Sequence, residues 1–373
     1  MHVADAEAAR QCPRDALYSA AMPLTPATLA FQSLEPDDIL DAVASLGFDV
    51  NGRLLALNSY ENRVYQVGID ERDNCVAKFY RPERWSDLEI LEEHGFAWEL
   101  ADAEIPVIAP LLVDGSTLHH AGLFRLSVYP CRGGRSPELD NQEHLEQLGR
   151  FVARIHNVGS SDTFAERPAI DIDAFGTDSI NYLLDQQFIP LDIEDAYTSV
   201  AELVLDGVEA CFERAGGVRE LRLHGDLHPG NVLVAGDQFH LVDLDDARTG
   251  PAVQDLWMFL SGDRAEQEPQ LAALLEGYES FRPFDARELH LIEALRSLRI
   301  MHYAAWLARR WGDPAFKQAF PWFESGRYWD EHVLQLREQV AVSYTHLRAH
   351  ETNDLISYSV FCLKNWGGGG GGG

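Results

Sequence analysis

Between Phe31 and Tyr129, short apolar runs alternate with polar breaks, the pattern of several strands with two helices set among them. Helices are predicted over 36–46 and about 87–101. Strands are predicted over 53–57, 64–69, 76–80, 107–113 and 122–129. Pro130, Gly133, Gly134 and Pro137 then interrupt the pattern. Beyond them the apolar period lengthens to that of helices. Leu145, Leu148, Val152 and Ile155 fall on one face of a helix over 141–158, with Asp140 or Asn141 as its N-cap. Further helices are expected at about 178–187, 193–215, 252–262, 267–281 and 285–310. Two short apolar strands lie among them, 232–235 and 239–242, turned by Gly236-Asp237. The implied class is α+β: a small β-rich lobe over 29–130, a breaker-rich joint and a larger α-helical lobe over 131–341.

The two ends depart from this pattern. Residues 1–28 show no sustained periodicity and are expected to form a disordered extension, with Met22 an alternative start. Residues 342–373 lack a continuous amphipathic face and finish in seven glycines. They include Ser-Tyr-Thr-His-Leu-Arg-Ala-His-Glu-Thr, which resembles translated adaptor sequence, so this tail is expected to be non-native.

Composition narrows the classes. The chain has 373 residues, enough for two cores, and its longest apolar runs fall far short of a bilayer span. No secretory signal opens it, so a cytoplasmic protein with no membrane partner is expected. Cys12, Cys75, Cys131, Cys211 and Cys362 are scattered and odd in number, against both a disulfide framework and a cysteine zinc site. The formal net charge of −30 repels phosphate backbones and argues against nucleic acid as a partner, while easing the approach of a cationic substrate or basic protein. Most of that charge is solvated surface.

The basic residues carry more information. Of 30, only Lys78, Lys317 and Lys364 are lysine. In a chain that writes arginine almost everywhere, Lys78 sits inside an apolar strand, Cys75-Val76-Ala77-Lys78-Phe79-Tyr80. A compact ammonium in place of a planar guanidinium suits contact with the α- and β-phosphates of a nucleotide. Such a lysine needs a carboxylate to hold it, and the helix over 87–101 offers Glu89, Glu92 and Glu93. Glu93 is preferred because its spacing to Leu100 and Ile105-Pro106-Val107 best resembles the protein-kinase-like pattern, with Glu92 as its rival.

The strongest signal is Leu223-His224-Gly225-Asp226-Leu227-His228-Pro229-Gly230-Asn231, followed by a hairpin and Val242-Asp243. Phosphoryl transfer needs a carboxylate to orient the attacking hydroxyl and accept its proton, a role for Asp226. It also needs oxygen ligands for magnesium, which Asn231 and Asp243 supply. His224 and His228 stand four apart, a zinc spacing on a helix, but Pro229 and two glycines make this a loop. His224 is expected to brace it. Between the first two strands runs Asn58-Ser59-Tyr60-Glu61-Asn62-Arg63, where the Ser59 hydroxyl and backbone N–H groups can cap phosphate oxygens without any glycine, unless the run is simply a polar hairpin.

His224-Gly225-Asp226-x4-Asn231 with Asp243 resembles the catalytic segment of the aminoglycoside phosphotransferase and choline kinase superfamily, which shares the protein-kinase fold. More narrowly, about residues 29–335 resemble the bacterial stress response kinase A family. The stretches that carry this are Leu57 to Gln66, Lys78 to Trp85, Ile90 to His94, Val242 to Arg248 and Gly250 to Met258. The resemblance implies a two-lobed protein-kinase-like fold and a serine/threonine protein kinase that uses ATP and Mg2+. It further implies that the kinase phosphorylates a protein substrate and possesses activity on itself, acts in stress responses and works as a monomer. It implies Ser59 as an ATP contact, Asp226 as proton acceptor, Asn231 and Asp243 as magnesium ligands, and Asp255 as a structural tie to the following helix. A kinase of a small aminoglycoside or amino alcohol would use the same residues. A pseudokinase reading is opposed by the presence of Lys78, Asp226, Asn231 and Asp243 together. Trp306, Arg309, Arg310 and Trp311 are candidates for an acceptor wall, with helix packing as the simpler role.

Overall fold

The structure, a computed structural model, describes residues 26–349. Most of the expected N-terminal extension and the end of the expected tail lie outside the described residues. Helices α1 (Pro26–Gln32) and α2 (Pro36–Ser45) lead into strands β1 (Val50–Ala56), β2 (Arg63–Ile69) and β3 (Cys75–Phe79). Helix α3 (Asp87–Asp102) precedes β4 (His119–Ala121) and β5 (Phe124–Pro130). The five strands form one antiparallel sheet in the order β1-β2-β3-β5-β4. Strand alternation sorts β3: Cys75, Ala77 and Phe79 enter a core with Phe31, Ile39 and Val43 from α1 and α2. Lys78 takes the opposite face, paired in register with Val64 and Ser127, and is buried there.

Helix α3 starts at a capping box in which Ser86 accepts from the Glu89 backbone and Glu89 accepts from the Ser86 backbone. Further along the helix Glu93 lies on the buried face with Ile90, Phe96, Ala97 and Leu100. The strand expected over 107–113 is not formed. Pro106 and Pro110 have no N–H to continue a ladder. Instead the extended segment bonds first to the larger lobe (Ile108 N–H to Leu241 O, 2.9 Å; Leu241 N–H to Pro106 O, 2.8 Å) and then to the smaller one (Leu111 N–H to Val128 O, 2.7 Å). It therefore ties the lobes together.

The larger lobe is helical. It contains α4 (Gln142–Gly159), α5 (Asp178–Asp185), α6 (Glu194–Ala215), α7 (Gln254–Trp257), α8 (Arg264–Glu279), α9 (Ile292–Arg309), α10 (Pro314–Ala319) and α11 (Gly326–Ala349). Asn141 is the cap of α4, accepting from Glu143 and His144. The helix expected over 252–262 shrinks to the single turn of α7. The one expected over 285–310 begins as a 3-10 turn, Ala286–Leu291, before α9. Helix α11 runs through residue 342, where the tail was expected to begin. Helices α4 and α8 approach until their backbones touch: a Cβ on Gly149 would collide with the Leu274 carbonyl, and one on Gly277 with that of Glu146. Strand β6 (Glu220–Leu223) pairs antiparallel with β9 (Arg248–Pro251), and β7 (Val232–Ala235) pairs with β8 (Gln238–Leu241) across the Gly236 turn. Among the described residues, no helix is long and apolar enough to cross a membrane, and Cys75, Cys131 and Cys211 are free thiols.

Candidate active site

Residues 224–231 form the loop from β6 to β7, and Asp243 follows β8, so the two polar segments leave neighbouring strand ends on one side of the larger lobe. Their backbones are joined directly, the Val242 N–H donating to Asn231 O at 3.0 Å. His224 braces the loop as expected: its Nε2 lies 3.0 Å from the Val242 carbonyl. Asp255, fully buried on α7, accepts from the backbone N–H of His224 and of Gly225, both at 2.9 Å. His156 on α4 bonds the same carboxylate at 3.1 Å and Tyr278 on α8 at 2.9 Å. Gly225 has φ +84°, and a Cβ there would strike the Asp246 carbonyl, so this position admits only glycine.

Asp226, Asn231 and Asp243 line one cleft of about 640 Å3, together with Ser59. Asp226 Oδ1 is held by Arg299 Nη1 at 2.6 Å, and Oδ2 lies 3.6 Å from His228. Burial pushes the Asp226 carboxyl up, but the His228 imidazole and the Arg299 guanidinium outweigh it and hold the group below the usual carboxylate range. The Asn231 amide nitrogen donates to Asp226 O at 2.9 Å, leaving its amide oxygen to offer elsewhere. Asp243 adopts φ 63°, a left-handed turn that aspartate tolerates better than most residues. It swings the chain from β8 into a 3-10 turn, Leu244–Asp246, and leaves the Asp243 side chain half exposed. Two oxygen donors are what magnesium takes from a protein when phosphate and water supply the rest. Asn231 and Asp243 fit that cation; among the described residues no three His, Cys, Asp or Glu converge to make a closed site.

The three candidate partners of Lys78 separate cleanly. Glu89 is spent in the cap of α3. Glu92 accepts from the backbone N–H groups of Ala165, Glu166 and Arg167 at 2.5, 3.0 and 2.7 Å, which docks α3 on the larger lobe. Glu93 alone is buried close enough to act on Lys78 electrostatically. The expected Lys78–Glu93 ion pair is nevertheless not made. Lys78 Nζ instead donates to Asp243 Oδ1 at 3.1 Å and lies 2.9 Å from Asp245 Oδ1, an ion contact without hydrogen-bond geometry. Asp245 reaches Lys78 because the left-handed Asp243 reverses the chain. Burial opposes the charge on Lys78, but Asp243, Asp245 and Glu93 together hold its pKa well above the ordinary value.

Burial raises Glu93 to about 7, Lys78 offsetting only part of that. A carboxyl raised in the folded state gives up stability as pH rises from its unfolded value of about 4.5 towards 7. Glu93→Gln removes that loss. The variant is expected to gain on the order of 2 kcal/mol relative to wild type between pH 5 and pH 8, measured by urea denaturation at both. An equal difference at the two pH values would contradict this.

Arg84 and Glu61 were not singled out as site residues, although both stand inside runs that were. Arg84 pairs with Asp245 and, at 2.8 Å, with Asp246. Glu61 accepts from the Trp306 indole N–H at 2.6 Å and is in ion contact, without hydrogen-bond geometry, with Arg310 at 2.6 Å and Arg81 at 3.2 Å. Asp313 receives Arg63 at 3.4 Å and Arg81 at 3.0 Å, and Tyr60 packs on Phe320. The loop that carries Ser59 is thus fastened across the cleft. Of the four residues considered for an acceptor wall, Trp306, Arg309 and Arg310 line the cleft, whereas Trp311 packs in the helical core. Arg299 carried no signal of its own in the sequence, being 73 residues from Asp226.

The phosphotransferase enzyme family matches residues 53–292. Stress response kinase A of Escherichia coli strain K12 is 46% identical over 314 residues, covering 84% of this chain and 94% of that protein. Serine/threonine protein kinase RdoA of Salmonella typhimurium strain LT2 is 44% identical over 313 residues, covering 84% and 94%. Among solved structures, amicoumacin kinase hAmiN in complex with AMP-PNP, Ca2+ and Ami superimposes with a TM-score of 0.65 at 20% identity, over 83% of this chain and 94% of that one. The microcompartment-associated aminopropanol kinase gives a TM-score of 0.62 at 20% identity, over 83% and 97%. The two superpositions bear on fold alone: a small antiparallel sheet lobe on a helical lobe.

Proposed function

Because the chain belongs to the phosphotransferase enzyme family, among the relatives of stress response kinase A, we propose that it transfers the γ-phosphate of ATP to a serine or threonine hydroxyl of a protein, itself included. The observation that carries the choice of acceptor is the shape and charge of the cleft. Its lining sets Glu61, Asp226, Asp243, Asp245 and Asp246 against Arg84, Arg248, Arg299, Arg309 and Arg310. Such a balance does not select a small cation. Arg299 and Tyr303, on its wall, also line a second cavity of about 480 Å3, and two adjoining cavities suit a polypeptide better than an amino alcohol. A relative at 44% identity named as a serine/threonine protein kinase supports the same choice.

In this scheme Asp226 orients the acceptor hydroxyl and takes its proton as the oxygen attacks the γ-phosphorus. The bond from phosphorus to the β–γ bridging oxygen breaks, and ADP leaves with that oxygen. Lys78, held by Asp243 and Asp245, presents its ammonium to the nucleotide phosphates, and Ser59 caps them from the β1–β2 loop. Asn231 and Asp243 hold a divalent cation, for which we propose Mg2+; when bound it neutralises charge on the phosphates. Asp255 positions the loop without touching substrate.

The test is an assay with γ-labelled ATP and Mg2+ on the full chain, offering acidic and basic proteins beside a panel of small amines and alcohols. Label on the kinase or an added protein is the expected result. Label confined to a small amine or alcohol would overturn the protein acceptor while leaving phosphotransfer intact.

A further inference from the structure

Arg299 belongs to two cavities at once. On one side it holds Asp226 in the cleft; on the other it lines the second cavity, between α9 and the start of α11. Trp257, Trp322 and Tyr328 give that cavity aromatic walls. Its charged groups are Arg296, Arg299 and Glu331, and burial lowers His332 to about 4, so the imidazole adds no charge near neutrality. In a chain of formal charge −30, two guanidinium groups thus face this cavity beside the proposed proton acceptor, with Glu293 and Asp226 as their present partners.

The two arginines stand three apart on α9 and so share a face. Arg296 lies over the Trp257 ring at 5.3 Å, and its Nε, 3.4 Å from Glu293, and its Nη2 make no hydrogen bond. Arg299 is 45% exposed despite its contact with Asp226, so it can leave that carboxylate without rearranging a core. A guanidinium pair of this kind, one member stacked and one partly exposed, suits a carboxylate.

We propose that this cavity is an acceptor-recognition subsite that binds an aspartate or glutamate side chain of the protein substrate, within about three residues of the phosphorylated hydroxyl. With about 4.5 Å between Arg299 and Arg296 along the helix and about 3.3 Å per residue of extended peptide, a carboxylate held between them lies about one to two residues beyond the Asp226 contact, inside that window. The bound carboxylate draws Arg299 away from Asp226 and leaves Oδ1 to the incoming hydroxyl. An acceptor without it meets an Asp226 that is still engaged. This inference rests on the protein-kinase reading above.

The experiment uses the full chain, labelled ATP and Mg2+, and serine peptides in which each position near the serine is aspartate, asparagine or lysine in turn. Wild type is expected to favour aspartate over asparagine about tenfold in kcat/KM at one position within three residues. Raising the ionic strength from about 0.05 to 0.5 M should shrink that preference. Arg296→Glu should reverse it and favour lysine at the same position, which a purely structural role would not produce. Equal labelling of the aspartate and asparagine peptides by wild type would overturn the proposal and leave the protein-kinase reading standing. So would an aspartate preference that survives in a folded Arg296→Glu. If that variant does not fold, the wild-type preference and its salt dependence decide. Absence of label on every peptide and protein would remove both readings together.

Discussion

Asp226→Asn is expected to lower turnover by about three orders of magnitude or more while leaving ATP affinity within about twofold. The amide has the shape of the carboxylate but cannot take a proton. Lys78, Asn231 and Asp243 are held by Asp245, by the Val242 backbone and by the left-handed turn after β8, none of which depends on the Asp226 side chain. The nucleotide cradle should therefore persist. The His228 and Arg299 contacts that hold the wild-type carboxyl low also keep it ionised through neutral pH. Wild-type kcat/KM should accordingly lose its Asp226-dependent limb only below the ordinary carboxylate range. Steady-state kinetics beside a nucleotide-binding titration measure both halves, and turnover in the variant close to wild type would remove Asp226 as proton acceptor.

Asp255→Ala is expected to cost about 3–5 kcal/mol of stability, the scale of breaking a buried charged hydrogen-bond cluster by removing one partner. Three donors lose their acceptor at once: the N–H groups of His224 and Gly225, and the His156 ring. None can turn to water, since Asp255, His156 and His224 are fully buried. Asp255→Asn, which keeps one acceptor oxygen, should fall between. Denaturant titration reads the loss directly; an unchanged midpoint in Asp255→Ala would mean that the loop is held by other contacts, with Gln254 donating to the Gly225 carbonyl as the first to consider.

What the sequence disclosed was local in origin. The lobe division follows from a change of apolar period at Pro130, and the cap of α4 from one asparagine before an amphipathic run. Asp226, Asn231 and Asp243 fall together because a two-strand hairpin returns the chain to its starting edge. What stayed hidden depends on backbone twist or distance. No periodicity announces that Asp243 is left-handed, so Asp245 cannot be seen to reach Lys78. The apolar residues of 107–113 match a strand, but the N–H groups missing at Pro106 and Pro110 send their neighbours to two different lobes. Arg299 meets Asp226 only through the packing of α9, and an arginine on a helix face has no mark that separates it from a solvated one.

The touching backbones of α4 and α8 have a reach beyond their own interface. Tyr278 follows Gly277 directly, and from its hydroxyl a relay of three hydrogen bonds runs through His156 and Asp255 to the backbone just before Asp226. Any side chain at Gly149 or Gly277 would act as a shim, wedging the helices apart and pulling the first bond of that relay out of range. The height of the proposed proton acceptor above the cleft floor is thus gauged by two hydrogen atoms standing where other residues carry carbon.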